Sequence, residues 1–192
     1  EQVFVFPGMN PVIHGIEWID SLLDHGDQHE GQGKNDDQGK KEAGKKTAED
    51  FSSIGRCKFI YTDVASRDSV NKMVEKVVTE FGRIDILVNN AAEYVADTFL
   101  PSFAIKKEPK LWEGGPTIST IDVESHDRHF AVNTRAVAIL MSKFASRIIE
   151  RQAKWGRIIN ISADCAWGCP KEISYRASKY ALPQVKFFPS FF

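Results

Sequence analysis

"KFIYTDVASRDSVNKMVEKVVTEFGRIDILVNN", residues 58–90, reads as strand, helix, strand in one unbroken run. Its two ends, KFIYTDV (58–64) and IDILVNN (84–90), are short apolar runs of the kind buried on both faces of a sheet. Between them Val70, Met73, Val74, Val77, Val78 and Phe81 fall on one helical stripe, with Ser66 placed to cap its start and Gly82 to end it. A second helix is expected from about Ser125 to Gln152, its inward face running from Phe130 and Ala136 through Val137, Leu140, Met141 and Phe144 to Ile148. A third apolar run, RIINIS (157–162), follows it. Strands alternating with helices imply a parallel sheet, because each helical crossover returns the chain to run in the same direction. The expected fold class is α/β: a doubly wound parallel sheet in three layers, with ligands bound beyond the carboxyl ends of the strands.

The flanking regions fit this frame less well. VFVF (3–6) is a candidate first strand and IEWIDSLLDHG (16–26) a candidate helix. Residues 27–50 are nearly all polar, so the apolar second strand expected there is not found and the segment reads as solvated. Glu93 to Asp122 is a connection of about thirty residues containing Pro101, Pro109, Gly114, Gly115 and Pro116, which reads as a functional or a disordered loop. Its length makes it a candidate wall for a substrate site, with Trp112 as an apolar contact. PQVKFFPSFF (183–192) places a proline where a helix should continue, so the fold is expected to be incomplete at the C-terminus.

Bulk properties narrow the class. The 192 residues suit one domain with a proper core, and 42% hydrophobic with 27% charged residues is an ordinary globular mixture. A formal net charge of -1 gives no electrostatic case for nucleic acid or an anionic membrane. No apolar run approaches the ~20 residues needed to span a bilayer. Cys57, Cys165 and Cys169 form no zinc-like set and cannot all pair, which points to a reducing, cytoplasmic setting. His126 and His129 share a helix face, but no further ligand lies near them in sequence, so no metal site is expected.

Candidate chemistry lies at the strand ends and in ISYRASKY (173–180). Tyr175 and Lys179, four residues apart, project from one helix face. A free tyrosine ionises near pH 10, and lowering that value by ~3 units needs roughly 4 kcal/mol, which a nearby ammonium helps to supply. The alternative for this stretch is an ordinary amphipathic turn. Asp63 ends one apolar strand, and Asn89, Asn90, Ala91 and Ala92 end the next; these positions suit close approach to a ligand or simple turn chemistry. Asn133 falls inside an apolar stripe, so its amide must find backbone or water partners. Ser162 ends the third run, within reach of the same cleft as Tyr175.

TDVAS, GRIDILVNNAA, FAVNTRA, GRIINIS and YRASK, taken in order and spacing, resemble the short-chain dehydrogenase/reductase family. The likeness covers roughly Lys45 to Leu182, and among members it is most similar to ketoacyl-carrier-protein-reductase-like ones. It implies a Rossmann-like fold and an NAD(P)-dependent oxidoreductase interconverting a carbonyl and an alcohol on a small molecule. Tyr175 would be the general acid/base, and Lys179 would lower its pKa and bond the nicotinamide ribose. Asn133 would hold a water linking Lys179 to solvent, and a serine on the third strand would bond the substrate carbonyl. Counting back from Tyr175 selects Ser162 for that role; aligning on GRII selects Ala163. Asp63 and Val64 would contact the adenine, and Asn90 and Ala91 would line the cofactor channel.

The phosphate-binding turn departs from the family pattern. FPGMNPVIHGIE (6–17) offers Gly8 and Gly15, but Glu17 stands where the last glycine belongs. Asp36 or Asp37, about twenty residues beyond Gly15, lies at a suitable distance for the adenosine ribose and favours NAD, while Lys34, Lys40 and Lys41 keep NADP open. The resemblance further implies a homo-oligomer built on the helices starting near Ser125 and Ser174. A second functional reading, a degenerate remnant with weak or no nucleotide binding, rests on Glu17, the polar tract and the C-terminal break.

Overall fold

The computed structural model describes the backbone of residues 2–5 and 37–40, and residues 41–53, 55–105, 117–163 and 169–182 with their side chains. Gly8, Gly15, Glu17, Lys34, Asp36, Trp112 and Cys165 lie outside the described residues. The elements in order are β1 (Gln2–Val5), α1 (Asp37–Ser52), β2 (Lys58–Tyr61), α2 (Arg67–Phe81) and β3 (Ile86–Asn89). There follow β4 (Asp97–Thr98), a short 3-10 turn (Ser102–Ala104) and β5 (Ser119–Thr120). A long helix comes next, in which α3 (Val123–Phe130) and α4 (Val137–Glu150) flank a π-helical turn (Ala131–Ala136). β6 (Arg157–Asn160) and α5 (Ile173–Tyr180) complete the described chain.

The strand–helix–strand core is as expected. In α2 the Ser66 side chain accepts a hydrogen bond from the Ser69 N–H, and Gly82, at φ 77°, closes the helix by donating its N–H to Val78 O. Val70, Met73, Val74 and Val77 are buried and pack with Ile60, Val64, Val132 and Ala136 into one apolar cluster. β3 and β6 pair in parallel, Asn89 opposite Asn160, with the long helix as their crossover. Leu87 and Ile158 pack on a second cluster formed by Val137, Met141 and Leu182.

Five features differ from the sequence expectation. β1 pairs with β2 antiparallel, Gln2 opposite Tyr61 and Val5 opposite Lys58, rather than joining a parallel sheet. A short, mostly apolar strand satisfies its backbone groups in either direction, so its composition does not fix its polarity. Second, residues 37–52 of the polar tract form α1. Its Lys, Glu and Ala content favours a helix even without an apolar stripe. It seats on β2 through Gly44, where a Cβ would overlap the Phe59 ring, and through Lys41, whose Nζ lies 4.5 Å from the Tyr61 ring centroid.

Third, β3 is not buried on both faces: Ile86 and Val88 are 50% and 38% exposed. Alternation sends Leu87 to the helix-covered face and its two neighbours to the other. Fourth, the long connection is neither shapeless nor loose where it is described. Ala96 O accepts from Ser119 N and Thr98 O from Ile121 N, and β4 and β5 pair in parallel. The 58–64 run also stops being strand at Tyr61, because the Asp63 carboxylate accepts the Ala65 N–H and turns the chain into α2.

Candidate active site

α5 carries both residues of the expected dyad. Tyr175 and Lys179 lie one turn apart, with the ammonium 5.9 Å from the phenol ring centroid. Lys179 is 3% exposed, and its Nζ donates to Ile161 O at 2.8 Å, just past the end of β6. A cation taken so far from water needs fixed oxygen partners, and the carbonyl at the strand end is one. Ile161 N in turn donates to Asn89 O, so the dyad is tied to the carboxyl ends of β3 and β6 together.

Asn133 lies in the π-helical turn and is fully buried. Its amide is satisfied by protein groups. Oδ1 accepts the Glu93 N–H at 2.8 Å, while Nδ2 donates to Glu93 O at 3.0 Å and to Ser178 Oγ at 2.8 Å. Ser178 Oγ passes on a hydrogen bond to Tyr175 O at 2.7 Å, and Thr134 Oγ1 donates to Ser178 O. The asparagine thus clamps the chain leaving β3 to the middle of α5. A π turn widens the helix by one residue and aims a side chain that a regular helix would place elsewhere.

The other expected residues divide into two groups. Asp63 and Val64 follow β2. Asp63 is partly exposed and within 3.5 Å of Arg128, whose guanidinium also reaches Glu93, so the Asp63 end is linked to the Asn133 clamp. The Val64 side chain is buried in the α2 cluster. Asn90 and Ala91 sit between β3 and Glu93, half-buried at the same edge. Ser162 is exposed, and its hydroxyl makes a long contact, 3.5 Å, with Lys179 O. Ala163, the other candidate position, is described and has no hydroxyl to offer. Asp37 is the first residue of α1. Lys41, read as a possible NADP contact, is engaged with Tyr61.

Several site residues were not foreseen. Tyr94 meets Tyr175 edge-on, with ring centroids 4.7 Å apart and planes at 85°. Its hydroxyl donates to Glu172 Oε1 at 2.7 Å, and Arg176 holds Glu172 Oε2 at 2.8 Å. Burial pushes the Glu172 carboxyl up, but hydrogen bonds from Cys169, Tyr94 and Arg176 and the Arg176 charge outweigh it and hold it below the usual carboxylate range. His129 is fully buried, accepting from Val95 N at 3.0 Å through Nε2 and donating from Nδ1 to Ser125 O at 2.7 Å. It is a structural pin in the tautomer protonated at Nδ1, because a backbone N–H requires a lone pair on Nε2. Among the described residues no group of three or more His, Cys, Asp or Glu is placed to hold a metal ion, and none of the described helices is long and apolar enough to cross a membrane. The signal for Tyr94 and Glu172 was aromatic and acidic residues flanking matched motifs, which spacing alone does not single out.

The profile of the short chain dehydrogenase family matches residues 37–186. The chain belongs to that family. An uncharacterized oxidoreductase of Thermotoga maritima is 34% identical over 143 residues, covering 73% of this chain and 48% of the relative. The 3beta-hydroxysteroid dehydrogenase 2 of Eggerthella lenta is 33% identical over 128 residues, 64% of this chain and 40% of the relative. A short chain dehydrogenase/reductase family protein of known structure superposes with a TM-score of 0.54 at 26% identity, covering 75% of this chain and 50% of that one. A metagenomic short-chain oxidoreductase solved with NADP gives 0.58 at 24% identity, covering 75% and 56%. NAD+-bound xylitol dehydrogenase gives 0.50 at 23%, covering 66% and 41%. The fold is therefore Rossmann-like α/β. The chain spans about half the length, or less, of the curated dehydrogenases and oxidoreductases it matches.

Proposed function

We propose that the chain is the NAD(P)-binding and proton-transferring part of an oxidoreductase that interconverts a carbonyl and an alcohol on a small molecule. The observation that carries this reading is the dyad: Tyr175 and Lys179 on one face of α5, the ammonium anchored at the carboxyl end of β6. That edge is where doubly wound sheets bind nucleotides. The groups along it suit such a ligand: a partly exposed Asp63 carboxylate, the small Ala91, the exposed Ser162 hydroxyl and a buried ammonium.

Reduction of a carbonyl needs a hydride at carbon and a proton at oxygen, and the bound nicotinamide supplies the first. Tyr175 gives the second from its hydroxyl, and takes it back when an alcohol is oxidised. Lys179 favours the phenolate that remains and bonds the nicotinamide ribose. Asn133 fixes α5 against the β3 end and belongs to the proton route between Lys179 and solvent, with Ser162 orienting the substrate oxygen. Asp63 and the Val64 backbone face the adenine, with Asn90 and Ala91 along the channel; Gly8, Gly15 and Asp37 serve the phosphates and ribose. NAD and NADP, each bound by one of the structural relatives, are both admitted. The same proposal includes self-association through the helices starting near Ser125 and Ser174. Sedimentation showing a lone chain at micromolar concentration would remove that part.

The remnant reading loses one of its supports, since much of the polar tract is helix α1. Titration with NADH and NADPH, followed by their fluorescence, tests the binding half: saturation by at least one is expected. Assayed on small ketones and aldehydes, Tyr175→Phe is expected to lose about 10²–10⁴-fold in turnover with cofactor affinity nearly unchanged. Equal turnover in that variant would refute the assignment of the proton donor.

A further inference from the structure

We infer that Asp97 is a positioning residue for Tyr175, acting on the first turn of α5 through Ser174. The inference rests on the reading of Tyr175 as the proton-transferring group. Helix α5 has eight residues, and its N-cap, Glu172, makes no side-chain capping bond to it. The opening N–H groups of a helix need acceptors, and a short helix has little else to hold its start in place. Asp97 of β4, far away in sequence, supplies the acceptor. Its Oδ1 takes the Ser174 N–H at 2.9 Å, and its Oδ2 takes the Ser174 hydroxyl proton. Asp97 is 1% exposed and Ser174 fully buried, so the carboxylate is matched to the helix start rather than to water.

A third member fixes the direction of the chain of bonds. Ser174 Oγ lies 2.9 Å from His126 Nδ1. With its own proton given to the carboxylate, the hydroxyl can only accept from the imidazole N–H. This is the reverse of a hydrolytic serine triad, in which the imidazole takes the serine proton, and a fully buried serine has no route to a substrate. Carboxylate, hydroxyl and imidazole therefore hold three elements together: β4, α5 and α3. Tyr175 is the next residue after Ser174. Its ring packs on Tyr94, three residues before Asp97 on the same segment, and Glu172 holds the Tyr94 hydroxyl. Two carboxylates thus bracket the phenol. Asp97 fixes the backbone beneath it, and Glu172 fixes the ring beside it.

The test labels the tyrosine rings with carbon-13 and assigns Tyr175 by its loss in Tyr175→Phe. Asp97→Ala is expected to displace the Tyr175 ring resonances, and Asp97→Asn, which keeps an Oδ1 acceptor of the same shape, to bring them most of the way back. A role in stability alone would lower the unfolding midpoint and leave the native Tyr175 signals in place, and that result overturns the inference. In turnover, Asp97→Ala is expected to lower kcat on the order of tenfold or more with the cofactor KM unchanged. If the wild-type chain shows no turnover, the functional proposal fails, while the ring resonances still decide the role of Asp97. Should Asp97→Ala not fold, Ser174→Ala, which removes the hydroxyl and keeps the N–H, is read in the same way: displaced signals support the inference and unmoved signals overturn it.

Discussion

Asn133 shows how much one buried amide can organise. It satisfies both backbone groups of Glu93 and bonds the Ser178 hydroxyl, so Asn133→Ala orphans the Glu93 N–H and C=O at once and cuts their tie to α5. A buried group left unpaired costs about 1–3 kcal/mol, and Asn133→Ala is expected to lower unfolding stability in urea by at least that amount. Glu172 carries the pH dependence. Its folded-state carboxyl is held below the ordinary value despite burial, so its contribution is fully present above about pH 4.3, the unfolded value, and is lost as pH falls through the lower folded value. Glu172→Gln is expected to flatten the acid limb of stability, read as the urea midpoint against pH; an unchanged limb would remove Glu172 as its source. At this scale Asn133, Tyr175 and Lys179 were legible, because a polar group inside an apolar stripe and an acid–cation pair on one face each announce a constraint. Tyr94, Asp97 and Ser174 were not: their meaning lies in contacts between segments distant in the chain.

Among the elements, α2 was readable from end to end, since an apolar stripe between a serine and a glycine fixes both caps and facing. Its C-cap and the residue just after the C-cap of α4 make opposite predictions. Gly82, at φ 77°, occupies the left-handed region at no steric cost, whereas Gln152 holds φ 50° with a side chain. Gly82→Ala is expected to destabilise by roughly 1 kcal/mol and Gln152→Gly to stabilise by a similar amount, both measured by thermal unfolding. α1 escaped a stripe-based reading because a glycine and a lysine, neither part of an apolar stripe, help to seat it on β2. The π turn escaped because apolar spacing of three and four residues tolerates a five-residue step without altering the pattern. Elsewhere an ion cluster joins elements: Arg151, just after α4, donates to Ile84 O and the Asp85 carboxylate at the entry to β3, and Arg83 holds the same carboxylate.

For the molecule as a whole, the α/β layering and the β3–β6 pairing followed from the order of strands and helices. The antiparallel β1 and the open face of β3 did not, because a short apolar run fixes neither its direction nor what covers each of its faces. Ile86 is half exposed, so Ile86→Lys is expected to change stability by no more than about 0.5 kcal/mol while lowering association measured by light scattering. The π turn between α3 and α4 has a wider consequence. The turn holds one residue more than a regular helix, so deleting a single residue from Ala131–Ala136 would close it to a regular α-helix with α3 and α4 still in phase, and would cost Asn133 its aim at Glu93 and Ser178. Descendants of this chain are therefore bound both to the length of that stretch and to its one amide.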